Sequence, residues 1–224
     1  PKAYPRNKNF YFKEGITWTL LSSGNAFGAR ILPQGCIFDV NSKCSFPLNP
    51  KNLPYILSFL VSTVAHTLIL NINPTMAFQA GDIAKLPCKE ENNILVVDLV
   101  TNAIRLTQSD WDSYETSWDF QMNPLLAVEN GLNVGDNQFD LSAIYIALRR
   151  DWQRQTEEMR RLEIENNRIF IDAYGLQDEL SPEVPWNEIT LTCNPWYRYG
   201  KNIENFDAVG NDFVLGKKDR IEIL

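Results

Sequence analysis

The sequence predicts an α+β fold: a small β-rich unit with packed helices, followed by a long spacer helix. Two observations predict it. Short runs rich in Ile, Phe, Thr and Trp, separated by turn residues, fill the stretch from Tyr11 to Val40. The stretch from Leu141 to Tyr174 contains no Gly or Pro and repeats apolar residues at heptad spacing. The 224 residues, 44% of them hydrophobic, are enough for such a core and exclude a disordered or fibrous chain.

The first part of the chain is expected to form an antiparallel β-meander. Its strands should be separated by three turns, at residues 22–25, 33–35 and 41–42. Residues 55–70 carry apolar side chains three and four positions apart, which predicts one buried helix. His66 lies on that helix, and we interpret it as a hydrogen-bonded structural side chain because no carboxylate or second histidine is near in sequence. Residues 78–87 are predicted as a strand or turn that closes this unit.

The second part of the chain is expected to be mainly helical. Residues 93–106 are predicted as a helix with Arg105 near its end, and a strand is the alternative. Residues 110–120 combine four acids with aromatic side chains. Such a cluster suits metal-assisted hydrolysis, but a packed aromatic loop with solvated acids is the favoured interpretation. The long helix should stop at Gly175, before a turn-rich connector at residues 180–186.

Charge is distributed unevenly along the chain. The 21 Lys and Arg against 28 Asp and Glu give a net charge of −7, which excludes a general polyanion binder. Residues 1–50 nevertheless carry 6 basic and 2 acidic groups, whereas residues 101–200 carry 8 and 17. The basic block also contains Tyr11, Phe12 and Trp18, and this mixture suits phosphate contact and base reading. A solvated basic surface is the alternative.

Cysteine spacing and hydropathy indicate the compartment. The four cysteines form no CxxC pair and make a poor zinc set, so we expect reduced thiols, with two disulfides as the alternative: Cys36, Cys44, Cys88 and Cys193. No signal segment opens the chain, and no apolar run approaches the ~20 residues that a bilayer crossing needs. We therefore expect a soluble, cytoplasmic protein with no membrane partner.

Enzyme motifs are missing from the sequence. It contains no GxSxG, Walker A, HExxH or strand-linked GxGxxG pattern. Residues 194–197, Asn-Pro-Trp-Tyr, look like the Asn-Pro-Pro-Tyr motif of amino-methyltransferases, in which the Asn accepts hydrogen bonds from the target amine. Trp replaces the second Pro, and no S-adenosylmethionine loop precedes the motif. We interpret it as a turn with aromatic packing.

Several segments resemble the target-recognition region of large adenine-specific DNA methyltransferases. They are residues 14–18 with 22–24, 35–39, 73–75 with 78–83, and 86–87. Residues 111–120 and 162–180 narrow the resemblance to the PglX-like methyltransferases of bacteriophage exclusion (BREX) systems and the similar single-chain type II restriction–modification enzymes. Residues 162–180 are the most specific part, and the resemblance extends over nearly the whole chain.

The resemblance implies a piece of a longer polypeptide that lies after the catalytic domain. Residues 1–120 would be the target-recognition unit, residues 121–180 a linker with the long spacer helix, and residues 181–224 the incomplete start of another segment. The intact enzyme would use S-adenosylmethionine to methylate the N6 amine of adenine in phage defence or restriction–modification. This chain would hold no catalytic, cofactor or metal residue and would be inactive alone. Its partners would be double-stranded DNA, the missing catalytic domain and other defence subunits.

The resemblance also suggests which residues contact DNA. Cations in the turns of residues 6–45 would contact phosphates or guanine edges: Arg6, Lys8, Lys13, Arg30 and Lys43. Three polar residues are weaker candidates: Ser23, Asn25 and Gln79. The alternative function is a protein-interaction scaffold that docks partner subunits through the long helix without contacting DNA.

Overall fold

The chain folds into two compact units. The structure, a computed structural model, describes residues 6–21, 27–89, 94–126 and 141–199. One unit comprises residues 1–101 and 165–182, and the other comprises residues 102–164 and 183–224. The division by role into residues 1–120, 121–180 and 181–224 stays a prediction.

A three-stranded antiparallel sheet forms the β-part of the first unit. Its strands are β1 (Gly15–Thr19), β2 (Ala29–Leu32) and β3 (Ser42–Ser45), in the order β2-β1-β3. The predicted meander order is therefore wrong, and the third strand lies beyond the predicted range. The first strand is the central one, and its residues Gly15, Ile16, Thr17 and Trp18 are all buried. Thr17 Oγ1 also donates to Lys43 O at 3.0 Å, which joins β3 to β1.

The single helix predicted over residues 55–70 is instead two helices. They are α1 (Leu53–Leu60) and α2 (Thr63–Ile72). Ser62 separates them: its Oγ donates to Phe59 O at 2.7 Å and accepts from Ala65 N at 3.2 Å. Ser62 therefore separates α1 from α2 and caps the start of α2, and the helix axis turns by 77° at this break. The apolar spacing nevertheless continues from one helix to the next. No single described helix is long and apolar enough to cross a membrane; α1 with its preceding turn and α2 meet that test only jointly, across this bend.

The remaining helices follow the prediction more closely. A short helix, α3 (Ala80–Ile83), replaces the predicted strand or turn, because Gln79 O accepts from the amides of Asp82 and Ile83. Next come α4 (Ile94–Asp112), which makes the strand alternative wrong, α5 (Leu141–Tyr174) and α6 (Pro195–Tyr199). Gly175 ends α5 with a φ of +69°, a conformation that glycine adopts without strain. The α+β fold class with a long helix is confirmed.

Each unit has its own core. In the first, α1 packs on β1 and β2, Trp18 Nε1 donates to Phe78 O at 3.0 Å, and the Phe59 and Phe170 rings lie 5.6 Å apart. In the second, a buried cluster holds Met159, with Ala103 and Trp152 packed against it; its other buried members are Val184, Ile189, Leu191 and Cys193. Burial of these apolar side chains is the main favourable contribution to folding.

Candidate nucleic-acid interface

The strand register decides which candidate cations share a face of the sheet. Arg30 lies opposite Thr17, and Lys43 lies opposite Trp18. Residues directly opposite in an antiparallel sheet share a face, whereas successive residues of one strand point to opposite faces. Arg30 therefore lies on the face that carries Thr17, the Thr17 face. Lys43 lies on the other face with buried Trp18.

Four aromatic rings cover part of the Thr17 face, and we call them the aromatic layer: Phe10, Tyr11, Phe38 and Phe46. The layer meets the sheet at Gly15, where a Cβ would come within 2.8 Å of the Phe46 ring. Phe10 stacks on Phe46 with centroids 5.0 Å apart, and Phe38 lies 5.5 Å from the same ring. Gly15 is thus the strand residue that allows these rings to approach.

The aromatic layer places Lys13 on the same side of the sheet as Arg30. The Lys13 ammonium lies 5.6 Å from the centre of the Phe10 ring. Arg6 precedes and Lys8 begins the 3-10 turn Lys8–Phe10, and both are exposed. The structure therefore brings Lys13 and Arg30 to one side of the sheet, with Arg6 and Lys8 in the adjoining segment.

The other predicted contact residues are Lys43, Gln79, Ser23 and Asn25. Lys43 is on the opposite face of the sheet, so one flat contact surface includes Arg30 or Lys43 but not both. Gln79 is exposed at the start of α3. Ser23 and Asn25 lie outside the described residues.

Two aromatic residues of the basic block have opposite environments. Trp18 is only 1% exposed and belongs to the core, so it contacts no external partner. Phe12 is 61% exposed, with a backbone φ of +66° that a bulky side chain rarely adopts. Composition shows both residues as aromatic neighbours of cations. Only the β1 register and the turn conformation distinguish them.

The Trp18 face borders a cavity of about 230 Å³. Its lining residues include Trp18, Ile56, Phe59, Cys44 and Cys88, although the register pairs Cys44 with Thr17 and so directs its side chain to the Thr17 face. Burial raises the pKa of the Cys44 thiol above its ordinary value, which favours the protonated form, and a hydrogen bond with Thr17 lowers it by less. This wall suits packing and offers no charge to a phosphate. The four cysteines are all free, as predicted.

The acidic segment at residues 110–120 begins in the last turn of α4 and includes a structural anchor. Asp110 is buried, and its carboxylate accepts from Thr192 N, Thr192 Oγ1 and Cys193 N at 2.6 to 2.9 Å. Within the described residues, no group of His, Cys, Asp and Glu is arranged to hold a metal ion. Trp118, however, is fully exposed, so the predicted packed aromatic loop is only partly correct.

The Asn-Pro-Trp-Tyr segment begins a helix and is not the predicted turn: Asn194 precedes α6, whose first residues are Pro195, Trp196 and Tyr197, although the predicted aromatic packing is present. Asn194 is fully buried, and its Nδ2 donates to Trp186 O at 2.7 Å and to Ile189 O at 2.8 Å. Its Oδ1 accepts from Trp196 N at 3.1 Å, and the rings of Trp186 and Trp196 lie 5.9 Å apart. The amide is therefore engaged with backbone and does not fit the role of an acceptor for an adenine amine.

Comparison with known proteins gives the class. No protein-family model matches the chain. An adenine-specific methyltransferase PglX of Lacticaseibacillus casei (strain Zhang) is 36% identical over 194 residues, which are 85% of this chain and 16% of the relative. An adenine-specific methyltransferase BrxX of Escherichia coli O9:H4 (strain HS) is 31% identical over 206 residues, or 91% of this chain and 16% of the relative. The chain is thus related to adenine-specific methyltransferases.

Over the aligned residues the chain belongs to the PglX-like adenine-specific methyltransferases, which confirms the family predicted from the sequence. It spans only 16% of the length of each of these relatives.

Proposed function

We propose that this chain is the DNA target-recognition segment of a longer, PglX-like adenine-specific methyltransferase. The observation that carries the proposal is its 36% and 31% identity with part of two such enzymes. The intact enzyme would transfer a methyl group from S-adenosylmethionine to the N6 amine of adenine, in the cytoplasm, as part of BREX phage defence or restriction–modification. Its catalytic residues and cofactor site would lie in the rest of the polypeptide, because Asn194 does not fit that chemistry.

The Thr17 face supports a role in DNA contact. It carries Arg30, and the aromatic layer holds Lys13 on the same side. Within the described residues, no ion pair joins Arg6, Lys13 or Arg30 to a carboxylate, so their charge is available to phosphates. Arg30 lies on an edge strand of the sheet, from which its guanidinium could reach a guanine edge.

Charge reversal in the full-length enzyme tests the proposal. Replacing Arg6, Lys13 and Arg30 with Glu should abolish site-specific adenine methylation, because three attractive phosphate or base contacts would become repulsive. Methylation would be read by sequencing host DNA, and DNA binding by a duplex mobility assay. Unfolding temperatures would show that the variant is folded.

A matched control reverses three exposed cations elsewhere: Lys51, Arg105 and Arg150. The control should keep methylation, since none of these residues belongs to the sheet that forms the Thr17 face. Loss in the control with retention in the first variant would instead favour the scaffold function, in which the long helix docks partner subunits and no described residue touches DNA.

A further inference from the structure

The exposed ring of Phe12 is held in place by a strained turn. Its φ of +66° lies in the left-handed region. Among the described residues other than glycine, only Asn7 also has a positive φ. Asparagine tolerates this region, whereas for a bulky side chain it is an outlier. Phe12 N donates to Cys36 O at 2.9 Å, and Phe12 O accepts from Gly35 N at 3.2 Å. These two bonds fix the direction of a side chain that could otherwise fold back on the protein.

The position of this ring relative to the sheet is also defined. Phe12 lies edge-on to Tyr11, with centroids 6.4 Å apart, and Tyr11 lies edge-on to Phe38 in the aromatic layer at 5.3 Å. The following residue, Lys13, has its ammonium at the Phe10 ring. The ring of Phe12 therefore projects from the aromatic layer, on the side of the sheet that carries the cations.

We propose that Phe12 stacks on the bases of the target duplex, as an apolar wedge at a base step while the neighbouring cations hold the phosphates. This inference rests on the proposed DNA-recognition function. The left-handed backbone of Phe12 and the exposure of its ring to solvent both disfavour the folded state. Backbone strain of this kind concentrates at functional sites. An exposed aromatic among cations matches the chemistry with which proteins stack on or wedge between bases.

Phe12→Gly in the full-length enzyme separates this contact from a structural role. Glycine adopts a φ of +66° without strain, so the variant should unfold at the same or a higher temperature. It should nevertheless bind the target duplex roughly 5- to 150-fold more weakly, the loss expected for one base stack. The target site would be the one read from methylated host DNA. Phe12→Tyr keeps the ring and should bind the duplex as the parent enzyme does. Leu48→Ala shortens another exposed apolar side chain and should leave duplex binding unchanged.

Salt dependence distinguishes the ring from the charges. Phe12→Gly should leave the slope of log affinity against log salt unchanged, because the ring neutralises no phosphate. Unchanged affinity in Phe12→Gly, while the Arg6, Lys13 and Arg30 reversal weakens binding, would overturn this inference and leave the proposed function standing. Unchanged binding in both would overturn the proposed function and this inference with it. A lower unfolding temperature in Phe12→Gly would assign the residue a structural role and would also overturn the inference.

Discussion

Asp110 is a buried charge whose role is set by its partners. Its carboxylate accepts from both the amide and the hydroxyl of Thr192 and from the amide of Cys193. Charged acceptors make stronger hydrogen bonds than neutral ones, and a buried carboxylate needs them to offset its lost hydration. Asp110, which is expected from the sequence to be a solvated acid, thus anchors residues 192–193 within the second unit.

Replacing Asp110 with Asn should destabilise the second unit by about 3 kcal/mol. The amide NH₂ of Asn is itself a donor, and it would face the donor groups of Thr192 and Cys193 that now bind the Asp110 carboxylate. Urea unfolding would measure the change. Asp98→Asn removes the same charge from an exposed position on α4 and should change stability by less than about 0.5 kcal/mol. Equal effects in the two variants would show that net charge, rather than the hydrogen bonds of Asp110, stabilises the fold.

Glu163 on α5 has a strongly perturbed acidity. Burial, and to a lesser extent the charge of Glu188, raise its pKa from the ordinary 4.5 to about 7. The folded chain therefore holds this proton more tightly than the unfolded chain. Stability is highest below pH 4.5, as far as this group is concerned, and falls as the pH rises towards about 7.

Glu163→Gln should remove that loss, so the variant should be more stable than the parent chain above pH 7 and should show a flatter stability profile between pH 4.5 and 7. Urea unfolding at a series of pH values would measure it. Glu158→Gln is the comparison: hydrogen bonding to Arg161 lowers the Glu158 pKa, so any stability that it contributes is lost only as the pH falls below its ordinary 4.5. A profile unchanged in Glu163→Gln would contradict the prediction.

At the scale of elements, the long heptad repeat predicts the helix correctly, whereas features that depend on local hydrogen bonds are not predicted from the sequence. The heptad repeat predicted α5 with both of its ends, since Gly175 stops it at the expected residue. The apolar spacing does not predict the break at Ser62, because the spacing is the same before and after this residue. The break is visible only in the hydrogen bonds of the Ser62 side chain with the backbone. The sheet order was also missed, since strand propensity says which residues form strands and not which strands pair.

Two asparagines on α5 show how such local bonds join elements. Asn166 donates to Ser58 O at 3.0 Å and also accepts from the Ser58 hydroxyl. Asn167 Oδ1 accepts from Thr63 N at 2.9 Å. Thr63 is the first residue of α2, whose amide has no partner within its own helix. These two polar side chains of α5 therefore hold α1 and α2 at the bend.

Asn167→Ala should cost about 1–2 kcal/mol and should speed hydrogen exchange at the Thr63 amide, because that part-buried donor would lose its acceptor. Amide exchange resolved by residue would check both effects. Asn167→Asp keeps an acceptor for Thr63 and gives up only the donation to Pro182 O, so its Thr63 amide should stay protected. Equal exchange rates at Thr63 in the two variants would contradict this assignment.

On the scale of the whole molecule, the candidate face was only half predictable. Block charge located the cations in residues 1–50, with net +4 against −9 for residues 101–200. The faces depend on pairing register, which placed Arg30 and Lys43 on opposite sides and buried Trp18. A chain of net charge −7 repels DNA at long range, so the duplex contact proposed for it would have to be local and strongly dependent on salt.

The salt dependence of the full-length enzyme should therefore report on the Thr17 face one cation at a time. Arg6→Gln and Lys13→Gln should each flatten the slope of log affinity against log salt by about 0.9, if each neutralises one phosphate. Arg30→Gln should also narrow the ratio of target to random-sequence affinity if its guanidinium reads a guanine edge. Lys43→Gln, on the opposite face, should leave both quantities unchanged. Because all four variants lose one positive charge, equal slopes would mean that only net charge attracts the duplex and that the Thr17 face has no special role.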